Sequence, residues 1–278
     1  MRVLIIGAGG MLGGTLCKAF EDQEIICWGK EDIDITDEMM VREKIAGGVD
    51  LLINAAAYTD VDGAETNKEL AFAVNELGVK NLAGAAAEAG ARLVHYSTDY
   101  VFAGDSKEGY EEDDEPGPAV NVYGESKLAG ERALAAASDR TGLEFYLIRT
   151  AWLYGVGGKN FVDTMLKLAQ EKDSLSVIDD QYGSPTCTQD VAEATRRIVM
   201  GEYRPGVYHA VNSGTTTWYG LAREVFKQRG VDTEVKPIIT DQYLLPARRP
   251  KYSILRDTKG LNMRLWQEAL KDYLDNRG

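Results

Sequence analysis

Short runs of consecutive apolar residues recur along the chain: "VLII" (3 to 6), "LLIN" (51 to 54), "RLVHYS" (92 to 97) and "FYLIRT" (145 to 150). Runs this short, with little polar alternation, predict strands buried on both faces. Between them apolar residues return at helical spacing, as at Leu12, Leu16 and Phe20. Buried strands joined by helices build a parallel sheet from repeated βαβ units, which predicts an α/β fold with a doubly wound, Rossmann-type sheet. A second strand is expected in "EIICWGK" (24 to 30).

Beyond "RTAWLYG" (149 to 155) the alternation loosens into a helical "NFVDTMLKLAQE" (160 to 171), a strand-like "LSVI" (175 to 178) and loops rich in Pro, Gly and Thr. Two more helices are predicted in "TTTWYGLAREVFKQRG" and "GLNMRLWQEALKDYLDNRG". Residues 1–150 are therefore read as a dinucleotide-binding domain. Residues 151–278 are read mainly as a smaller C-terminal α/β substrate-binding cap, with some segments returning to the sheet. Substrate is expected in the cleft between them.

The 278 residues are 44% apolar and carry a formal charge of -13. No basic run exceeds "ARRP", so nucleic acid is not an expected partner. The opening "RVLIIGAGG" lacks the regions of a secretory signal, and no apolar run reaches the ~20 residues of a membrane span. A cytoplasmic location without membrane partners is expected. Cys17, Cys27 and Cys187 have neither an even count nor a metal spacing and read as buried thiols of a reducing compartment. The run "EEDDE" (111 to 115) reads as a solvated loop, and no metal site is expected.

Candidate chemistry begins at "IIGAGGMLGG", where Gly7, Gly10 and Gly13 follow the first strand at G-x-x-G-x-x-G spacing. A strand-to-helix turn of this kind brings backbone N–H groups, with those of Met11 and Leu12, to the phosphates of a dinucleotide. The acid that would hold a ribose is missing from the end of the second strand, where Gly29 and Lys30 stand. Lys30 favours a 2′-phosphate and hence NADPH, with NADH as the alternative donor; an exposed loop lysine is the other reading.

In "VYGESKLAG" Tyr123 precedes Lys127 by four residues, one turn of a helix. Chance alone yields about one such pair in a chain with 14 tyrosines. Its context is "HYSTDYVF" after a buried strand and the glycine loop upstream. These three pieces resemble the extended short-chain dehydrogenase/reductase superfamily. A nearby ammonium stabilises a phenolate, so Tyr123 can exchange a proton with a carbonyl or alcohol oxygen. Thr98 supplies a hydroxyl to the same oxygen, or Ser97 if the strand ends one residue earlier.

Longer blocks narrow the resemblance. "NAAAYTDVDGAE", "HYSTDYVFAG", "NVYGESKLAGE", "RTAWLYG", "DQYGSPT", "SGTTTWY" and "PARRPKYS" span most of the chain. Together they are similar to the dTDP-4-dehydrorhamnose reductase family. That resemblance implies NADPH-dependent reduction of the 4-keto group of dTDP-6-deoxy-L-lyxo-4-hexulose to dTDP-L-rhamnose. It makes Tyr123 the general acid and gives Lys127 the nicotinamide ribose and the lowering of the tyrosine's pKa. Asn54, Ala55, Ala56, Ala57 and Tyr58 would line the cofactor, with Asp34 and Ile35 at the adenine side. Thr98, Asp99, Tyr100, Trp152 and Gln181 would meet the sugar, and Arg248 the diphosphate. For Trp152 an ordinary core position is the alternative.

Some members of that family dimerise through a magnesium ion held by glutamates; Thr15 and Gln189 occupy those places here. A monomer is therefore expected, with a weak homodimer as the alternative. Two other readings share part of the pattern. Nucleotide-sugar 4,6-dehydratases carry Asp-Glu after the threonine, where this chain has Asp99-Tyr100, and 4-epimerases recycle a retained cofactor. A non-catalytic NADP-binding regulatory subunit would have no chemical need of the Thr98, Tyr123 and Lys127 set.

Overall fold

The computed structural model describes residues 1–201 and 203–277. The apolar runs form strands β1 (Arg2–Ile6), β2 (Glu24–Trp28), β3 (Leu51–Asn54), β4 (Arg92–Thr98) and β5 (Phe145–Thr150). A sixth strand, Gly206–His209, pairs with β5, and the sheet order from that edge is Gly206–His209, β5, β4, β3, β1, β2. Every pairing in it is parallel. The sheet is α/β and doubly wound.

Its two faces explain the unbroken apolar runs. Val3, Ile5, Leu51, Ile53 and Val94 pack with Leu12, Leu16 and Phe20 and with Val191 and Ile198 on one side. Leu4, Ile6, Leu52 and Leu93 pack with Val79, Leu82 and Leu134 on the other. Along β1, β3, β4 and β5 neither face meets water, so alternation has no physical cause there, whereas the edge strand β2 is partly exposed. From β1 the chain runs to β2 on one side and β3 on the other, which opens a crevice at their carboxyl ends. The register holds those ends level, Ile6 lying opposite both Trp28 and Asn54.

A second core, including Tyr154, Val162, Leu175, Leu221, Phe226, Trp266 and Leu270, lies beyond β5. It is made by the helices Phe161–Ala169, Trp218–Arg229 and Trp266–Asn276 against the strand pair Ser174–Ile178 and Glu234–Ile238. The last helix starts six residues into the predicted segment, after positive φ angles at Gly260 and Asn262. A small sheet of Thr216–Thr217, Tyr182–Gly183 and Tyr252–Ser253 faces the carboxyl edge of the large one. Among the described residues no helix is long and apolar enough to cross a membrane.

Two expectations are corrected. Cys17 and Cys27 are joined in a disulfide, and Cys187 alone is a buried thiol. Ten positions apart in sequence, the two cysteines meet because the helix Met11–Ala19 packs beside β2, leaving their Cα atoms 6.4 Å apart. The acidic run is not wholly solvated either. Glu112 is buried, and its carboxylate accepts from the Thr258 hydroxyl at 2.5 Å and from the N–H groups of Thr258 and His209. A buried carboxylate is tolerable there because three donors replace its water.

Candidate active site

The glycine loop is shaped by close backbone approach. Gly7 has φ +87°, and a Cβ there would come within 2.6 Å of the Ala56 nitrogen; one on Gly13 would lie 2.0 Å from the Gly7 oxygen. The N–H groups of Gly7 and Ala8 both donate to the Trp28 carbonyl, which ties the loop to the end of β2. Gly10 caps the helix Met11–Ala19 without a side-chain hydrogen bond, and no acid lies in the first turn. Its N–H groups and positive helix end are therefore open to an anion. Leu12 points into the core, while Met11 is half-buried against Gly158.

Residues after β3 form the adjoining wall. The Asn54 side chain accepts from Ala56 N–H at 3.1 Å and faces His95 Nδ1 at 3.0 Å. Burial holds His95 well below the usual histidine range, helped by the Lys127 charge. Ala55, Ala56, Ala57 and Tyr58 are half-buried. Asn75 fixes Tyr58 at both backbone groups, at 2.9 and 3.1 Å, and also donates to Ser126 in the helix of Tyr123. It sits in a π-helical turn, Ala73–Leu77, a local distortion with no sequence signature that the reading could use.

At the end of β2, Lys30 is exposed. Asp32, which the sequence reading passed over, folds back so that its carboxylate accepts from Gly29 N–H at 2.7 Å. Asp34 accepts from the Thr36 N–H and hydroxyl, and these hydrogen bonds hold its carboxyl below the usual range. The Ile35 side chain is buried in the second face of the core, and its carbonyl accepts from Asn81.

The chemistry-bearing groups converge at the ends of β4 and β5. β4 runs through Thr98, which takes up the place that Ser97 would have held had the strand stopped earlier. The Thr98 hydroxyl accepts from Tyr100 N–H at 3.2 Å and donates to Asp99 Oδ1 at 2.8 Å. Asp99 Oδ2 is buried without a partner. Burial lifts the Asp99 carboxyl to about 6, against the hydroxyls of Thr98 and Ser253.

Asn121 caps the helix Val122–Thr141 by accepting from Gly124 N–H at 2.8 Å. That start sets Tyr123 and Lys127 on one face. The Tyr123 ring meets Tyr100 edge-on, centroids 5.9 Å apart. Burial first, then the Asp99 charge, pushes the Tyr123 phenol up to about 12, while the Thr98 hydroxyl acts in the opposite sense. Lys127 donates to the Tyr96 carbonyl at 2.7 Å, and burial brings it down to about 8 against the pull of Glu131. Tyr123 thus holds its proton at neutral pH, and the expected lowering of its pKa by Lys127 is corrected: burial and the Asp99 charge set the phenol, while the ammonium is engaged by the Tyr96 carbonyl.

Opposite stands an aromatic wall. Trp152 adopts φ +46°, a conformation that costs a bulky residue of order 1–3 kcal/mol. Its indole stacks on Trp218, centroids 3.5 Å apart and planes 6° apart, and donates to Ser253 Oγ at 3.2 Å. Trp218 in turn donates to Gln181 Oε1 at 3.2 Å. Ser253 and Trp218 complete the wall although sequence reasoning passed them over. Both lay inside quoted blocks, "PARRPKYS" and "SGTTTWY". In "ARRP" the two arginines differ: Arg249 forms a two-pronged pair with Asp62, whereas Arg248 is exposed, and its carbonyl accepts from Asn121 at 2.7 Å.

A phosphate-ready loop at one end of this crevice and a Thr–Tyr–Lys group at the other define the protein as a nicotinamide-dependent oxidoreductase of the short-chain dehydrogenase/reductase class. Comparison with known proteins narrows this. The family model described as "RmlD substrate binding domain" matches residues 1–278. A dTDP-4-dehydrorhamnose reductase of Mycolicibacterium smegmatis is 45% identical over 98% of this chain and 84% of its own. The crystal structure of such a reductase from Clostridium acetobutylicum superposes with a TM-score of 0.93 at 40% identity, covering 99% of each chain. One from Bacillus anthracis, in complex with NADP, gives 0.94 at 37% identity over 99% of each. The chain belongs to the dTDP-4-dehydrorhamnose reductase family.

Proposed function

We propose that the protein reduces the 4-keto group of dTDP-6-deoxy-L-lyxo-4-hexulose to dTDP-L-rhamnose with NADPH. The observation that carries the reading is Tyr123, held protonated beside Thr98 with Lys127 one turn further on. The uncapped helix start fits a dinucleotide diphosphate, and the close backbone approach of Gly7 and Gly13, where a Cβ would strike the chain's own backbone, holds the loop tight at that helix end. When bound, NADPH supplies the hydride for the keto carbon.

The chain's own groups do the rest. Tyr123 gives its proton to the developing alkoxide, so that ketone, hydride and proton become the alcohol. Thr98 turns its hydroxyl towards the same oxygen, Lys127 offers its ammonium to a ribose, and the Trp152–Trp218 stack walls the sugar. Asp99 and Tyr100, with Gln181, border the hexose, and Arg248 is free for the diphosphate. Lys30 at the end of β2 supports NADPH, as does the NADP bound to the Bacillus anthracis relative.

In this reading residues 1–150 hold the cofactor and most of 151–278 the sugar nucleotide. The enzyme works as a monomer in the cytoplasm, where reduced nicotinamide cofactors are available. At the family's metal-bridge positions the Thr15 hydroxyl faces the Thr188 hydroxyl at 3.2 Å, and the other place is the amide of Gln189. The test is the loss of absorbance from NADPH on adding the 4-ketosugar nucleotide. Tyr123→Phe should keep NADPH binding and lose ~10² to 10⁴-fold in turnover. Wild-type turnover by the phenylalanine variant would remove Tyr123 from its role.

A further inference from the structure

Lys127 is buried, and among the described residues the acceptor for its ammonium is the Tyr96 carbonyl. One turn further along the same helix face stands Glu131, also buried. A carboxylate in that position could close on the lysine directly. Instead both its oxygens are held by Arg149 of β5, which donates through Nε at 3.0 Å and through Nη2 at 2.8 Å.

Arg149 is itself fixed. It lies opposite Ser97 of β4, next to the residue whose carbonyl Lys127 uses, and its guanidinium sits 5.0 Å from the centre of the Phe102 ring. Its Nη1 faces His209 Nε2 at 3.4 Å. Burial first, then the Arg149 charge, brings His209 down to about 3, so the imidazole is neutral and its Nε2 accepts. Gly130 lets the helix come so close to Asn75 that a Cβ would lie 2.1 Å from its carbonyl oxygen, which seats the turn that carries Glu131.

A buried ion pair is weak evidence of stabilisation, since removing both charges from water offsets their attraction. What this pair supplies is position: a negative charge one turn from Lys127, kept near it and kept off it. The charge of Glu131 favours the ammonium against its burial. With the carboxylate in the arginine fork, the ammonium N–H groups not used by Tyr96 stay open. Other titratable groups around the helix are already engaged. Burial keeps His95 neutral and the Tyr96 and Tyr100 phenols protonated. Asp99 accepts from Thr98, and Asp62 is paired with Arg249. On the helical stretch 68–80, Lys68, Glu69 and Lys80 are exposed and Glu76 is half-buried.

We propose that Glu131, gripped by Arg149, is a positioning residue of the reduction: it furnishes the countercharge of the Lys127 ammonium and leaves that ammonium's open N–H groups to the ribose of the cofactor. This rests on the reading of Tyr123 and Lys127 as the reductive pair.

Two measurements between about pH 6 and 10 test it: initial rates of NADPH oxidation with the 4-ketosugar nucleotide, and the NADPH dissociation constant without sugar, read by fluorescence. Wild-type activity and NADPH affinity should both fall as pH rises through about 8. Glu131→Gln keeps the shape and removes the charge, so both limbs should move down by about one pH unit, while values at about pH 6 stay within about threefold of wild type. Glu131→Asp keeps the charge and should hold the limbs near their wild-type place. Leu134→Ala, which opens a cavity under the same helix, should lower the urea midpoint and leave the limbs where they are. If Glu131→Gln does not fold, Glu131→Gln/Arg149→Met, which leaves neither charge unpartnered, carries the same prediction. Limbs that stay in place in the glutamine variants, or that move equally in the aspartate one, overturn the proposal. So does an equal loss at every pH, the mark of a purely structural pair. A wild type that oxidises no NADPH in the presence of the ketosugar overturns the reductive reading itself.

Discussion

The ammonium of Lys127 donates to the carbonyl oxygen of Tyr96 at 2.7 Å, one helical turn from the tyrosine with which it is paired in sequence. β4 thus holds the lysine in place from beneath, and its charge sits in a buried position that resists it. Burial brings its pKa down to about 8. The folded value lies below the unfolded one of 10.5, so the cost of burying the charge is present below about pH 8 and is relieved between there and 10.5. Ketosugar reduction should therefore fall as pH rises through about 8, well before Tyr123 loses its proton. Initial rates of NADPH oxidation across that range check this; a flat profile to about pH 10 would detach activity from the lysine charge.

Asp99 should respond in the opposite sense. Its folded pKa, about 6, lies above the unfolded 3.8, so its stabilising contribution is complete below 3.8 and is lost as pH rises through 6. At pH 7 the buried carboxylate costs about 3 kcal/mol. Asp99→Asn keeps an acceptor for the Thr98 hydroxyl and should raise the urea midpoint at pH 7, with the gain vanishing near pH 4. Its turnover should fall, since a neutral amide replaces a charge at the site. An equal midpoint at pH 7 would show that water relieves the carboxylate.

The two arginines of "ARRP" should separate binding from stability. Arg249 joins its loop to Asp62 through a pair that is largely shielded from solvent. Arg249→Ala leaves that carboxylate short of its partner and should cost about 1–3 kcal/mol by urea denaturation. Arg248→Ala should leave stability within about 0.5 kcal/mol and raise KM for the nucleotide sugar. Equal effects of the two variants on KM would contradict the division of roles.

The Cys17–Cys27 bridge closes a loop over a separation of 10 residues. Chain entropy gives such a crosslink about 3 kcal/mol. Reduction by a dithiol, or Cys17→Ser/Cys27→Ser, should lower stability by that order. Thiol titration of denatured protein should find one reactive group, Cys187, before reduction and three after it. Three thiols without reductant would show the bridge to be absent in solution.

Strand positions were legible because burial on both faces leaves continuous apolar runs, and "LLIN" and "FYLIRT" coincide with β3 and β5. The loop of Gly7, Gly10 and Gly13, and the Tyr123–Lys127 turn, were legible because each is a local pattern with a local physical cause. Asn75, Ser253 and Trp218 were not, since each acts on residues 17, 101 and 66 positions away, Tyr58 and Trp152 twice. The Cys17–Cys27 bond and the inward turn of Glu112 escaped for the same reason: neither partner carries a mark of the other in the sequence.

The sequence by itself determined the parallel α/β sheet, the family and the Tyr123–Lys127 spacing on which the proposed proton donor rests, because hydrophobic period and short motifs encode what neighbours along the chain must do. Only the tertiary structure decided which arginine is free, which hydroxyl orients Asp99, and where Lys127 points. Those are properties of groups brought together from distant segments, whose charge and hydrogen-bond capacity are set by burial and by partners that no local pattern specifies.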